Sequence, residues 1–225
     1  MSTQTSSAQI RPLSSYPFYV RALFGSISLW AFLIIACVGS IGLEWAGLAL
    51  DFWDAGHSQQ QVADELDFLS RYADDRFMRI AGVLTDWIYH ICWYWSPVGW
   101  TVMLFDMLVD APLWVQMSDS ARESVQVVTL RIVISIFTLP AFALVACVSL
   151  IEGLVRREIR KHSGGAESSL IFHFAKRNVK PWLITPWVFY LANPFTVHPN
   201  WIFIPCLILF GISIAITAST FKKVL

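Results

Sequence analysis

The most telling property of this sequence is a long stretch without charge. From residue 181 to residue 221 there is no Asp, Glu, Lys or Arg. One membrane-spanning helix needs ~20 apolar residues, so this stretch fits two spans joined by a turn. Turn-forming residues interrupt it at Asn193-Pro194 and His198-Pro199-Asn200. We predict a transmembrane hairpin over 181–220, with spans at 181–195 and 200–220; the first is short and proline-rich, which favours a tilted, broken or partly inserted helix.

Cysteine is scarce and its spacing is uninformative. The four cysteines are Cys37, Cys92, Cys147 and Cys206, and none forms a CxxC pair or a Cys/His ligand spacing. Three of them lie in apolar segments, where cysteine acts as a small hydrophobic residue. Only Cys92 is expected to meet an oxidising compartment, and there without an intramolecular partner. We therefore predict no disulfide, no metal site and no cofactor.

Recognisable catalytic motifs are also missing. The sequence has no GxxxxGK[ST] or GxGxxG phosphate-binding loop, no GxSxG elbow and no HExxH pair. No pair of acids lies deep in an apolar run, where ion-coupled transporters keep functional charges. Asp86 and His90 are four residues apart and have the chemistry for acid–base work, but a solvated or interfacial pair is the preferred interpretation. These absences predict a protein that is not an enzyme.

Charge of each sign is confined to its own part of the chain. Residues 44–124 contain 13 acidic residues against four basic ones. Residues 152–180 contain seven basic residues against three acidic ones. Those basic residues are Arg156, Arg157, Arg160, Lys161, Lys176, Arg177 and Lys180. Loops rich in Lys and Arg stay cytoplasmic, which places the basic segment inside and the acidic one outside.

These features together predict an all-α integral membrane protein with about four transmembrane helices and a helical, partly interfacial extracytoplasmic loop. Both termini are expected in the cytoplasm. The predicted segments are a cytoplasmic tail (1–21), span one (22–43), the acidic Trp-rich region (44–127), span two (128–151), the basic loop (152–180), the hairpin (181–220) and the C-terminus (221–225).

Two features of the N-terminal region have alternative interpretations. The tail is polar and Ser/Thr-rich, and a cleaved signal peptide is the alternative to it; the run at 22–43 is too long for a typical signal core, and no small-x-small site follows it. Small residues recur along span one, at Ala36, Gly39, Ser40, Gly42 and Ala46. They suit either close approach of another helix or ordinary lipid-facing composition.

The acidic region shows helical periodicity. Val62, Leu66 and Leu69 repeat at helical spacing after a capping-box-like Ser58, which predicts an amphipathic helix over about 59–80. Residues 87–105 are uncharged but hold four Trp, two Tyr and a central Ser-Pro. We interpret them as an interfacial or re-entrant stretch broken near residue 96, because a further span would put the basic loop outside. Their aromatics are expected to rest on lipid or on the spans, with a binding cavity as the alternative.

Arg131 borders span two, whose Pro140 is expected to kink it. Snorkelling of Arg131 to the interface is favoured over an intramembrane ion site. For the seven basic residues three roles are open. Setting topology and touching anionic lipid is the first, a protein partner surface is the second, and direct nucleic-acid binding is the least expected because no known nucleic-acid fold fits the segment.

The C-terminal third carries a pattern of prolines, basic residues and aromatics. It comprises Glu152, Gly153, Arg156, Arg157, Arg160, Glu167-Ser168, His173, Ala175-Lys176-Arg177, Pro181, Pro186-Trp187, Tyr190-Leu191, Pro194, Pro199, Pro205 and Phe221-Lys222-Lys223. This pattern resembles the integrating conjugative element membrane protein family, akin to TraJ-type conjugal transfer membrane proteins co-inherited with the coupling ATPase. The resemblance covers about 125–225, and more loosely 15–124; its motif contains no catalytic residue.

The resemblance implies a non-enzymatic inner-membrane component of a conjugative, type IV secretion-like system. Its implied partner is the coupling protein, the membrane ATPase that delivers the relaxase–DNA complex to the channel. Two other functions stay open. One is an assembly factor of the secretion channel, without contact to the ATPase; the other is a small transporter or channel lined by residues 87–105.

Overall fold

The computed structural model describes residues 17–54, 56–109, 111–163 and 169–221, and every regular element within these ranges is an α-helix. Residues 164–168 of the predicted basic loop lie outside the described residues, as do most of the two predicted terminal tails. The helices are α1 (Phe18–Ala49), α2 (His57–Tyr72), α3 (Asp75–Tyr94), α4 (Pro97–Leu108), α5 (Pro112–Ser163), α6 (Ser169–Ala192) and α7 (Pro199–Ser219). The all-α class predicted from the sequence is confirmed.

Three described helices are long and apolar enough to cross a membrane. They are Trp30–Ala49 within α1, the whole of α5 and the whole of α7. The predicted span 128–151 falls within α5, and the predicted spans 22–43 and 200–220 overlap the other two segments. The fourth predicted span, 181–195, corresponds to the second half of α6, whose first half is basic. The count of four spans is therefore approximate.

Helix α5 is the centre of the bundle, and each of the other helices packs against it. Its middle section from 127 to 135 is buried all round, with Val128 and Val133 fully inaccessible. Further along α5, Phe142 meets Phe210 of α7 at a ring-centroid distance of 5.5 Å. A helix section that is buried on all sides marks the core of a protein. In α5 this section belongs to the same continuous helix as the apolar residues that contact α7.

Glycine lets α5 and α7 approach closely at one point. A Cβ added to Gly153 of α5 would lie 2.6 Å from both the carbonyl oxygen of Ala215 and the Cβ of Ala218 on α7. Small residues at such a crossing allow the helix backbones to touch. On α1 the same residue type behaves differently, because Gly39 and Gly42 have no neighbour within 4 Å. Gly39 and Gly42 therefore mark no close helix crossing among the described residues, whereas Ala36 of the same span packs against the core cluster.

Helices α2, α3 and α4 form an outer layer (residues 57–108) at the end of the bundle where α6 turns into α7. The predicted continuous helix over 59–80 is wrong. Ala73 is extended and the carboxylate of Asp74 accepts a hydrogen bond from the amide of Asp75, which starts α3. Ser58 is also not a helix cap, since α2 begins at His57 after Gly56, whose positive φ of 104° suits glycine.

The aromatic segment is broken where the sequence predicts. Helix α3 ends at Tyr94 and α4 begins at Pro97. Ser96 is the cap, because its hydroxyl accepts a hydrogen bond from the amide of Gly99 and proline is tolerated at the first helical position. The aromatic side chains divide into two groups. Trp93 is buried, whereas the other three tryptophans of the segment, Trp87, Trp95 and Trp100, are exposed.

Candidate functional site

The seven basic residues predicted from the sequence lie at one end of the bundle, which we call the basic end. Four are on the last turns of α5 and three are in the first half of α6. The C-terminus of α7 reaches the same place, where the guanidinium of Arg160 donates a hydrogen bond to the carbonyl of Ser219. A cation at a helix C-terminus meets unpaired carbonyls and the negative end of the helix dipole. Arg160 therefore holds the end of α7 against α5.

Two phenylalanine rings connect the basic residues of α5 with those of α6. The guanidinium of Arg157 lies 5.7 Å from the ring centroid of Phe221. Phe221 packs edge-on to Phe172, with centroids 6.0 Å apart, and the ammonium of Lys176 lies 5.7 Å from the Phe172 centroid. Each cation is within the range of a cation–π contact. The row Arg157–Phe221–Phe172–Lys176 therefore places two cations from different helices around one aromatic pair.

The basic residues differ in whether an acid neutralises them. Arg156 pairs with Glu152, and Lys161 pairs with Glu158, each at 2.7 Å and each on exposed side chains. The hydrogen bond from Lys161 holds the pKa of Glu158 below its ordinary value. Arg177 and Lys180 are exposed and form no ion pair with a described residue. Five of the seven cations therefore have no carboxylate partner among the described residues.

The opposite end of the bundle contains a buried ion pair that the sequence analysis missed. The Nε of Arg131 donates to Glu65 Oε1 at 3.0 Å, and the exposed fractions of the two side chains are 2% and 1%. The hydroxyl of Tyr190 donates to the other oxygen, Glu65 Oε2, at 2.9 Å. Both carboxylate oxygens are therefore satisfied. The predicted snorkelling of Arg131 is wrong, because a buried carboxylate from α2 neutralises it in place.

The remaining donors of Arg131 bind the turn between α6 and α7. They reach the carbonyl of Tyr190 at 3.4 Å, the carbonyl of Asn193, and the carbonyl of Phe195 at 3.0 Å. These carbonyls follow or end α6, where the helix leaves its last acceptors unpaired. One arginine on α5 thus binds α2 and the hairpin turn together. The four hydrogen bonds made by the guanidinium are what make this buried charge tolerable.

A second polar contact attaches the start of α2 to α1. Glu44 is 4% exposed, and its two oxygens take the amide of Ser58 at 3.2 Å and the Nδ1 of His57 at 3.1 Å. The Ser58 hydroxyl donates in turn to Glu123 of α5 at 3.1 Å. The carboxylate of Glu44, from α1, therefore caps the start of α2, where the sequence predicts Ser58 as the cap. Gln61 adds a hydrogen bond to the carbonyl of Pro194 in the hairpin turn.

Part of this arrangement leaves a trace in the sequence. Glu65 is three residues after Val62 and four before Leu69, so it lies on the apolar side of the helix it belongs to. An acid on an apolar face requires a buried partner, and Arg131 at the edge of a span is the complementary signal. Phe172 and Phe221 at the basic end carry no comparable signal, because isolated aromatics are common in membrane proteins.

Chemistry of other kinds finds little support in the described residues. In the ranges given above, no group of three His, Cys, Asp or Glu side chains is placed to hold a metal ion. Asp86 and His90 are both exposed, and the ring of His90 stacks on Tyr94 with centroids 5.1 Å apart. Cys92, predicted to face an oxidising compartment, is instead buried in the same core cluster as Cys37.

The fold and its two ends define a class: an all-α protein with membrane-length helices, an acidic helical layer at one end and a basic surface at the other. Residues 113–222 match the family model of the IncC plasmid conjugative DNA transfer protein DtrJ-like. The match covers just under half of the chain, includes all seven basic residues and indicates a protein involved in conjugative DNA transfer. No curated protein and no solved structure matches the chain.

Proposed function

We propose that this chain is a non-enzymatic inner-membrane component of a conjugative, type IV secretion-like system, and that it is an adaptor which binds the coupling ATPase. Two lines of reasoning support the proposal. The similarity to DtrJ-like proteins relates the chain to conjugative DNA transfer. The basic end supplies a surface suited to an acidic protein face, since charge complementarity guides partner choice and docking.

The observation that carries the proposal is the state of the cations at the basic end. Five of them lack a described carboxylate partner, and they are displayed on two helices rather than on a loop. Arg157 and Lys176 are held over aromatic rings, so little conformational freedom is left to lose when a partner binds. Arg177 and Lys180 project as exposed charges beside them.

The orientation in the proposal follows from the charge asymmetry. The outer layer and the hairpin turn share one end of the bundle, and the basic residues share the other. Lys and Arg accumulate on the cytoplasmic side of bacterial membrane proteins. The basic end therefore faces the compartment in which the cytoplasmic part of the coupling ATPase and anionic lipid headgroups are found.

Co-purification from donor cells tests the proposal. The chain, tagged at its C-terminus, is extracted in mild detergent and its bound proteins are identified by mass spectrometry. We expect near-stoichiometric recovery of the coupling ATPase. In the variant Arg177→Gln with Lys180→Gln, which removes two unpaired cations, recovery should fall by about ten-fold or more, and DNA transfer should fall with it.

A matched variant removes two charges from the same end. Arg156→Gln with Lys161→Gln breaks only exposed pairs, which are worth little, so recovery should stay within about two-fold of the original chain. Equal losses of ATPase recovery in both variants would show that binding depends on the total positive charge of the basic end and not on Arg177 and Lys180 in particular. Recovery of channel subunits without the ATPase would favour an assembly factor instead. A protein that is recovered alone would contradict both functions and direct attention to solute flux.

A further inference from the structure

A cleft lies between α2, α3 and α5, away from the basic end, and its lining contains none of the residues of the Arg131 ion pair. Its volume is about 310 Å³, at the lower end of the range for small-molecule pockets. The inner wall is apolar and buried, with Leu69, Ala81 and Leu130 each no more than 6% exposed. Leu66 and Gly82 line it at positions open to the surroundings. The cleft therefore has a buried apolar inner wall and an opening at the surface of the protein.

One hydroxyl in this cleft has no partner among the described residues. The Oγ1 of Thr85 is buried and makes no hydrogen bond there. Other helical threonines solve this locally, as Thr129 does by donating to the carbonyl of Val125 at 2.7 Å. A buried hydroxyl without a partner is unfavourable. Thr85 lines the cleft, and rotation of its side chain about χ1 would bring the hydroxyl to a hydrogen-bond acceptor on an occupant.

The surroundings of the cleft change character across it. On the α2 side the outer face carries charge, with Asp64 and Asp67 exposed. On the α3 side the outer face is apolar and aromatic, with Val83 69% and Trp87 65% exposed. Aromatic surface beside charged surface is typical of the membrane–water boundary. At that boundary the abundant amphiphiles are lipids.

A carboxylate at the edge of the cleft adds a preference for charge. Asp86 lines the cleft and is exposed. An exposed carboxylate attracts an ammonium group and repels an anion. A lipid with an amine headgroup therefore complements the site better than an acidic lipid does.

From these observations we propose that the cleft binds one acyl chain of an amine-headed phospholipid such as phosphatidylethanolamine. In this arrangement the apolar wall holds the chain, the hydroxyl of Thr85 rotates toward the cleft and donates to an ester carbonyl, and Asp86 faces the ammonium group. The lipid would then be a fixed component of the outer layer, bound between α2 and α3. This inference is independent of the proposed adaptor function.

Photocrosslinking tests the site directly. The full chain is reconstituted in bilayers that contain phosphatidylethanolamine with a diazirine in one acyl chain, and the adducts are mapped by peptide mass spectrometry. We expect adducts on cleft residues such as Leu66, Met78 and Thr85. Adducts confined to the outer face of α3, at Ile80, Val83 and Trp87, would overturn the proposal. A cleft without lipid adducts would also overturn it, and crosslinking of the cleft residues to another protein in cells would then identify a protein as the occupant.

Two glycines provide a matched pair of variants. A Cβ at Gly82 would meet nothing within 4 Å, so Gly82→Leu adds a bulky side chain at the mouth of the cleft without a clash at Cβ and raises helix propensity. Labelling of the cleft should fall by about ten-fold. Gly42→Leu, at an equally open position on α1, should leave it unchanged. Unchanged labelling in the Gly82 variant, or an equal loss in both variants, would reject the site.

The headgroup preference has its own measurement. Cleft labelling by the amine-headed probe is compared with labelling by a phosphatidylglycerol probe that carries the same acyl diazirine. The original chain should favour the amine-headed probe, and Asp86→Asn should reduce that preference by about two- to five-fold. Equal labelling by both probes in the original chain would remove the headgroup from the proposal and leave only acyl-chain binding.

Discussion

Arg131 and Glu65 are 66 residues apart in sequence, yet they form a hydrogen-bonded ion pair of 3.0 Å in which both side chains are buried. The pair joins the centre of α5 to the apolar face of α2. Since Arg131 also binds three carbonyls around the α6–α7 turn, it connects three separate parts of the chain. An ion pair in this position is a determinant of how the outer layer sits on the bundle.

Removal of the arginine should be strongly destabilising. Arg131→Met leaves Glu65 as a buried charge and should lower the free energy of unfolding by about 3–5 kcal/mol, measured by denaturant unfolding in detergent micelles. Arg156→Met, which breaks the exposed pair with Glu152, is the control and should cost less than about 1 kcal/mol. Similar costs for the two variants would show that the buried pair has no special role.

Loss of the Glu44 carboxylate should loosen the start of α2. Glu44→Gln weakens acceptance from the Ser58 amide and from His57, which is a loss equivalent to removing a helix cap. Hydrogen exchange over 57–61 should accelerate by about two- to thirty-fold. Asp64→Asn, an exposed acid on the same helix, should leave exchange there unchanged. If the two variants exchange alike, Glu44 does not cap α2.

The crossing of α5 and α7 should reject any side chain at Gly153. Because a Cβ there would lie 2.6 Å from the Ala215 carbonyl oxygen, Gly153→Ala forces the helix backbones apart. We expect thermal unfolding in detergent to show a loss of about 1–3 kcal/mol. Gly39→Ala, with open space around it, should be neutral or stabilising by up to ~1 kcal/mol. A stable Gly153 variant would mean that the crossing is looser than described.

The two ends should be accessible from opposite sides of the membrane. Single cysteines are introduced as Asp64→Cys in the outer layer and Lys180→Cys at the basic end, in a background with Cys147→Ala and Cys206→Ala. A membrane-impermeant maleimide should label the first in intact spheroplasts and the second only after lysis. The reverse pattern would invert the orientation that we propose.

Local patterns in the sequence predicted most of the fold. Uncharged runs located α1, α5 and α7, because a membrane-length apolar helix is visible without tertiary information. The break before α4 was equally visible, since Ser96-Pro97 is a local start signal. The separation of acidic and basic segments predicts opposite sides of a membrane for the outer layer and the basic residues, which stays a prediction that the cysteine-labelling experiment tests.

The parts that failed depend on contacts between distant residues. The sequence around Arg131 predicts an interfacial side chain because its partner Glu65 lies on another helix, and the sequence around Ser58 predicts a cap because the true cap, Glu44, is contributed by α1. The break at Ala73-Asp74 was missed because apolar periodicity continues across it. Phe172 and Phe221 acquire their role only when α6 and α7 bring them together. Long-range pairing of this kind cannot be read from spacing along one helix.

The uninterrupted length of α5 has a mechanical consequence. A helix of 52 residues is about 78 Å long, more than twice the ~30 Å thickness of the hydrocarbon core. One end carries Arg160 at the basic surface and the other carries Trp114, whose indole donates to Asp106 of the outer layer. Since no loop separates the two, a movement at the basic end is passed to the outer layer along one continuous helix, and Pro140 inside it is the point at which that helix bends most easily, because proline lacks the backbone N–H of a helical hydrogen bond.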